Sequence, residues 1–201
     1  MNRPIRPNHL GQRVLLVDCE HGCSTVLEPA LCDAGYAVVV RMPVGEDLLQ
    51  RVQELHPDMI VIHMRSLDAQ ILEQMHRISR TAPRPVVMFA QEGSADAIDR
   101  AIKAGVSAYV VDGLSRHRIK PILDVAAARF REVQALRQEL ERARTTLADR
   151  KLIDRAKGII MTQRACDEDT AFQVLRKLAM DRNQRLADIA RDVISISQLL
   201  R

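Results

Sequence analysis

His63 is the first residue to suggest chemistry. It ends the apolar run Met59–Ile62 within PDMIVIHMRS, residues 57–66. Two other apolar runs lead to acids. RVLLVD, 13–18, ends on Asp18, and SAYVV, 107–111, is followed by Asp112. An imidazole beside a carboxylate makes a pH-sensitive contact near neutrality. Cys19 and Cys23, with His21 between them, invite a metal reading. A zinc site normally needs a second ligand pair at knuckle spacing, and none follows, so these are read as free thiols. A nucleophilic Cys19 would need an electropositive setting, but its neighbours are Asp18 and Glu20. The segment DCEHGCS has one glycine and two acids, which is no phosphate-cradling loop. No Ser/His/Asp or Cys/His set can be assembled. The chain is therefore not read as an enzyme, and no cofactor or metal is expected.

A different chemistry lies at the other end. Residues 129–201 hold 16 Lys/Arg against 11 Asp/Glu, whereas 1–128 hold 14 against 15. Such an imbalance suits an anionic partner for the C-terminal third. Lys151 and Arg155, four apart, share a helix face, and Lys157 lies on another with Arg164. Arg176 and Lys177 stand on the next helix. Cations on rigid helices neutralise phosphates and release counterions. Aromatics are only 2% of the chain, which argues against a stacking platform, and Phe172 is expected in the core. Gly158, inside a helix, costs about 1 kcal/mol relative to Ala. Its use there is close approach, either of another helix or of a nucleic-acid backbone.

These residues need elements to position them. With 201 residues, 47% hydrophobic and 28% charged, the chain is globular and long enough for one or two domains. Strand-like runs at 13–18, 37–40, 59–63, 85–90 and 107–111 alternate with helical segments at 24–34, 45–55, 67–82 and 94–105. Short apolar strands between helices imply a parallel sheet covered on both faces. Five such units predict an α/β, flavodoxin-like doubly wound (βα)5 domain over 13–121, after a flexible stretch 1–12. In that architecture the strand ends carrying Asp18 and His63 face the ligand crevice.

After Pro121 the pattern changes. Residues 122 to about 163 contain no proline and read as one long helix. Leu123, Ala126, Phe130 and Val133, then Leu136, Leu140, Ala143 and Leu147, recur at steps of three and four, with a phase slip near 133–136. So polar a helix needs a partner helix. The expected arrangement is a coiled-coil linker over 122–150 that forms a parallel homodimer, with Phe130, Val133, Leu136, Leu140 and Leu147 in the seam. Residues 151–201 supply an all-α end. Asp167 caps one helix, Asn183 ends it, and 185–200 form the last. Ile153, Ala156, Ile160, Ala171, Leu175, Leu178, Ile189, Ala190, Val193 and Ile194 close a three-helix core. The polar N-terminus and the lack of any run near ~18 apolar residues predict a cytoplasmic chain without a membrane span.

The last third, LIDRAKGIIMTQRACDEDTAFQVLRKLAMDRNQRLADIARDVI, resembles an ANTAR domain, the RNA-binding module of transcription antitermination regulators. The Ala-Lys-Gly, the Ala-Phe of TAFQVLRKLAM and LADIA occur in the order that this module uses. The first half resembles a response-regulator receiver. The whole is similar to the AmiR/NasT family, and AYVVDGLS with IKPILDVAAARF is closer to its NasT-like branch.

The resemblance implies a phospho-site, and every position the chemistry needs can be checked. The Mg²⁺-holding acids fall on Asp18 and Cys19, and a thiol is a poor ligand for an oxygen-seeking ion. The acceptor falls on His63, the hydroxyl position on Ala90, and the phosphate-pairing lysine on Asp112. The first domain is thus expected to be a pseudo-receiver, a scaffold and protein-docking surface that phosphorylation does not switch. By resemblance the partners are hairpins in an mRNA leader, of nitrate/nitrite assimilation genes, and an inhibitory protein that senses nitrate or nitrite. The expected RNA contacts are Lys151, Arg155, Lys157, Arg176 and Lys177. A DNA-binding response regulator with a degenerate receiver is the alternative. Against it, no helix shows side chains spaced for the major groove.

Overall fold

A computed structural model describes residues 11–18, 24–43, 47–112 and 115–199. Cys19, Glu20, His21 and Cys23, and residues 1–10, lie outside them. The described chain runs β1 (Gln12–Asp18), α1 (Ser24–Asp33), β2 (Tyr36–Pro43), α2 (Leu48–Leu55), β3 (Met59–Met64), α3 (Ala69–Thr81), β4 (Val86–Ala90), α4 (Ala95–Lys103), β5 (Ala108–Val111), α5 (Arg116–Arg164), α6 (Glu168–Arg182) and α7 (Leu186–Leu199). It divides into two compact units, Met1–Val133 and Gln134–Arg201.

The first unit is a parallel sheet of order β2-β1-β3-β4-β5. Alternate side chains go to opposite faces, as the two-residue strand period requires. Leu15, Val17, Ile60, Ile62 and Met88 pack with α2, α3 and α4. Val14, Leu16, Val61, Val87 and Phe89 pack with Leu27, Ala30 and Leu31 of α1 and with Ile119, Leu123 and Ala126 of α5. The expected doubly wound fold is present. Gln12 already pairs with Tyr36, so the strand starts inside the stretch 1–12 that was expected to be flexible.

Local signals fix the helix ends. Asp47, Asp68, Ser94 and Asp167 each accept from a backbone N–H in the first turn of α2, α3, α4 and α6. Gly35 and Gly105 leave α1 and α4 with φ of 88° and 102°, where a side chain would be strained. His56 and Asn183 do the same for α2 and α6 at φ 47° and 51°.

One boundary differs from expectation. The long helix begins at Arg116, not after Pro121, and the proline lies inside it. An interior proline costs about 3 kcal/mol. Ile119 and Leu123, on either side, are fully buried. Each contributes about 1.5–3 kcal/mol, which offsets that penalty. Leu123 and Ala126 therefore belong to the sheet's core, not to a linker beginning at 122. The Tyr36 hydroxyl, which donates to Asp124 at 3.5 Å, further ties this part of α5 to β2. Burial first, and then the Asp124 carboxylate, push that phenol up to about 12.

The second unit packs the end of α5 against α6 and α7. Ala156, Ile160, Ala171, Leu175, Ile189, Ala190 and Ile194 form its core, with Ile153, Leu178 and Val193 packed on it. Ala165, at φ 50°, ends α5. Gly158 stays helical, and a Cβ built on it would meet nothing within 4 Å. Packing against the described residues therefore does not explain this glycine. Gly158→Ala is expected to stabilise the unit by about 1 kcal/mol. Thermal melting should show Tm raised by roughly 4–8 °C; a lowered Tm would mean that the position is packed after all.

Candidate nucleic-acid interface and the strand-end histidine

The parallel register places Asp18 directly beside His63, at the C-terminal ends of β1 and β3. Asp18 Oδ1 lies 3.2 Å from His63 Nδ1, with both side chains almost wholly buried. The other carboxylate oxygen faces the Arg41 guanidinium at 3.7 Å, from the end of β2. Asp18, at the position where the receiver resemblance puts a Mg²⁺-holding acid and where no metal was expected, is thus engaged by an imidazole and a guanidinium. Ala90 ends β4 beside Val111 and offers no hydroxyl. Asp112 is exposed at φ 49°, and its N–H donates to the Ala90 carbonyl at 3.1 Å. No hydrogen bond or ion pair joins Asp112 to His63, so of the two carboxylates expected near the imidazole only Asp18 reaches it. Among the described residues no cluster of side chains could hold a metal ion.

In the second unit the expected cations divide into two classes. Lys151, Arg155, Arg176 and Lys177 are exposed and make no ion pair with any described residue. Lys157 is different. Its ammonium lies 2.8 Å from Asp154 Oδ1 and 2.6 Å from Glu168 Oε1, and its side chain is only 15% exposed. These carboxylates hold the Lys157 ammonium above the usual lysine range. Sequence spacing could not show this, because Glu168 arrives from the start of α6. Lys157 thus clamps α5 to α6 and is not a free cation. Arg185 is likewise engaged, with Asp149 at 2.5 Å.

Phe172 corrects another expectation. It lies outside the core, 37% exposed, on a row with Arg176 and Met180 at helical spacing. The signal was available: Ala171, Leu175 and Ala179 already fill the buried face of α6. The seam residues Leu136, Leu140 and Leu147 are 58%, 52% and 56% exposed, with Val133 similar and Phe130 half-buried.

A family model for the ANTAR domain matches residues 141–194. Residues 141–194 form an ANTAR domain. The match begins within α5, ahead of the expected start at 151. The transcriptional regulatory protein PdtaR of Mycobacterium tuberculosis is 29% identical over 184 residues, covering 91% of this chain and 89% of that protein. The nitrate regulatory protein of Klebsiella oxytoca is 37% identical over 90 residues, which is 45% of this chain but only 23% of that protein. The aliphatic amidase regulator of Pseudomonas aeruginosa is 26% identical over 113 residues, 56% of this chain and 58% of that one. The signal receiver domain of a modulated diguanylate cyclase from Desulfovibrio desulfuricans G20 superposes with a TM-score of 0.51 at 17% identity, covering 59% of this chain and 95% of that domain. A receiver fold followed by an ANTAR domain makes this chain similar to AmiR/NasT-type regulators. No helix among the described residues is long and apolar enough to cross a membrane.

The clamp has a titration signature. Lys157 holds the Asp154 carboxyl below the usual carboxylate range. A lowered folded-state pKa contributes stability above the ordinary aspartate range, lost as pH falls through the lowered value. The raised lysine contributes below the ordinary lysine range and loses it as pH rises through its own raised value. Asp154 should therefore titrate low in a carbon-detected NMR series and return toward the ordinary range in Lys157→Met. An unchanged Asp154 in that variant would contradict the clamp.

Proposed function

We propose that this chain is an RNA-binding transcription antiterminator acting on hairpins in an mRNA leader. The observation that carries this reading is the set of exposed cations with no carboxylate partner among the described residues, Lys151, Arg155, Arg176 and Lys177, within and around the core helices of the ANTAR domain. Their charge is available to phosphates at no cost of breaking an ion pair. By holding the leader's hairpins, the protein would keep a terminator stem from forming. Lys157, held by Asp154 and Glu168, is assigned to the fold and not to direct contact.

The chain acts as a parallel homodimer in this reading. From Val133 the apolar residues follow an unbroken heptad, with Val133, Leu140 and Leu147 at one core position and Leu136 and Ala143 at the other. The flanking positions on one side are Glu132 and Glu139, and on the other Arg137, Arg144 and Lys151. In a parallel pair Glu132 meets the second copy's Arg137, and Glu139 its Arg144. An antiparallel pair sets like charges together. Two linked RNA modules then raise the effective concentration for a two-hairpin leader.

The receiver fold serves as a scaffold, in this proposal, and phosphorylation does not switch it. His63 stands at the acceptor position, in contact with Asp18, and Ala90 replaces the hydroxyl. Control falls instead to a partner that senses a small molecule. The likeness to the Klebsiella nitrate regulatory protein supports nitrate or nitrite as that molecule and nitrate assimilation as the controlled genes.

Two outcomes are expected. Lys151→Gln with Arg155→Gln should weaken binding to two-hairpin RNAs of different loop sequence to a similar extent. The slope of log affinity against log salt should fall by roughly 1–2. Filter binding at several salt concentrations reads both, and unaltered affinity and slope would reject this surface. Leu140→Asp, at an exposed position, should sediment as a monomer with the helix content retained; a variant that still forms the dimer would place the interface elsewhere.

A further inference from the structure

A groove of about 560 Å³ runs along α6 and the turn that follows it. Phe172, Arg176 and Met180 line it from α6, and Asn183, Gln184 and Arg185 from the turn. The row follows from helical spacing: Phe172, Arg176 and Met180, four apart, share one side of α6, beside Ala179, while Ala171 and Leu175 are buried in the core. The residues of the turn follow from the left-handed Asn183. Its N–H donates to the Met180 carbonyl at 3.2 Å, and the Gln184 N–H to the Ala179 carbonyl at 3.0 Å. These bonds fix the turn beside the row.

The chemistry inside the groove is specific in kind. Met180 is 71% exposed and Phe172 is partly exposed, at 37%. Full burial of such a side chain is worth about 1.5–3 kcal/mol, of which Met180 forgoes most and Phe172 a part. The side-chain amides of Asn183 and Gln184 make no hydrogen bond with any described residue, nor does the Arg176 guanidinium. Arg185 is held in place by Asp149. The groove therefore combines an apolar ring, amides able both to donate and to accept, and a free planar cation. An aliphatic peptide could meet the amides through its backbone, but it offers the ring no flat partner to stack on and the guanidinium no anion. A bare phosphate would use the cation and leave the ring idle. An unstacked nucleobase uses all three, with the ring for stacking, the amides for its edge and the guanidinium for an acceptor or the adjoining phosphate.

We infer that this groove receives one unpaired base of a hairpin loop and reads its identity, while Lys151 and Arg155 hold the phosphates. This rests on the RNA reading above and adds to it the residues that would set sequence preference.

The test uses the full chain and a pool of synthetic two-hairpin RNAs with randomised loops. The wild-type protein should enrich a loop sequence over the pool. Phe172→Leu keeps an apolar side chain but removes the ring. It should lose roughly 5- to 100-fold in affinity for the enriched loop, with the salt slope unchanged and the binding of scrambled loops little altered. Phe172→Tyr should restore the preference. A 2-aminopurine at the read position should change fluorescence on binding to the wild type and not to Phe172→Leu. Phe172→Leu that still discriminates loops as the wild type does would overturn the base-receptor assignment. So would a wild type that binds the pool without enriching any loop; both results leave the RNA reading standing. A wild type that binds no RNA at low salt would overturn that reading as well, and this inference with it. Helix content by circular dichroism separates each of these from a folding defect.

Discussion

One helix must satisfy two hydrophobic cores. Ile119, Leu123 and Ala126 of α5 complete the packing on the sheet, and Ala156 and Ile160 of the same helix complete the packing with α6 and α7. Between them lie Val133, Leu136, Leu140 and Leu147, which are exposed. Isolated helical segments are marginal in water, and most helix stability comes from burying an apolar face. The middle of α5 finds no such cover among the described residues. The cores anchor its ends, and the uncovered middle is what a second copy would complete. On the proposed reading, a second copy covers this apolar row while the two cores keep the ends of the helix in place.

At the strand ends, the register of the parallel sheet decides which side chains meet. Parallel pairing puts residue 63 beside residue 18 whatever their identity. With Asp and His in those places, the Asp18 carboxylate lies against an imidazole and near the Arg41 guanidinium. This resembles an internal counter-ion set more than an ion-binding site open to ligand. The second unit sorts its cations on the same principle. Carboxylates that reach a lysine from two helices, as Asp154 and Glu168 reach Lys157, turn it into structure. Cations with no such neighbour remain available to an outside anion.

Much of this was legible in the sequence, and what escaped has physical causes. The order of strands and helices followed from apolar runs, and the bounds of α6 from the cap at Asp167 and the exit at Asn183. The three-helix core was legible from its ten apolar positions, all of which lie in or against that core. Pro121 was read as a boundary because proline opposes a helix interior. The burial of Ile119 and Leu123, a tertiary effect, overrode it. Lys157 looked like its cationic neighbours because an ion pair across eleven residues and two helices leaves no local trace. Phe172 was read as core on residue type alone. Counting the small and branched residues that already fill that face of α6 would have placed it outside.

The central claim is that the C-terminal unit selects folded RNA through cations mounted on rigid helices. Competition between a two-hairpin RNA and duplex DNA of matched length, measured across a series of salt concentrations, addresses it most directly. The account predicts that the hairpin RNA is preferred at every salt concentration, with both affinities falling as salt rises. Equal affinity for the two, or a preference for the duplex, would contradict it.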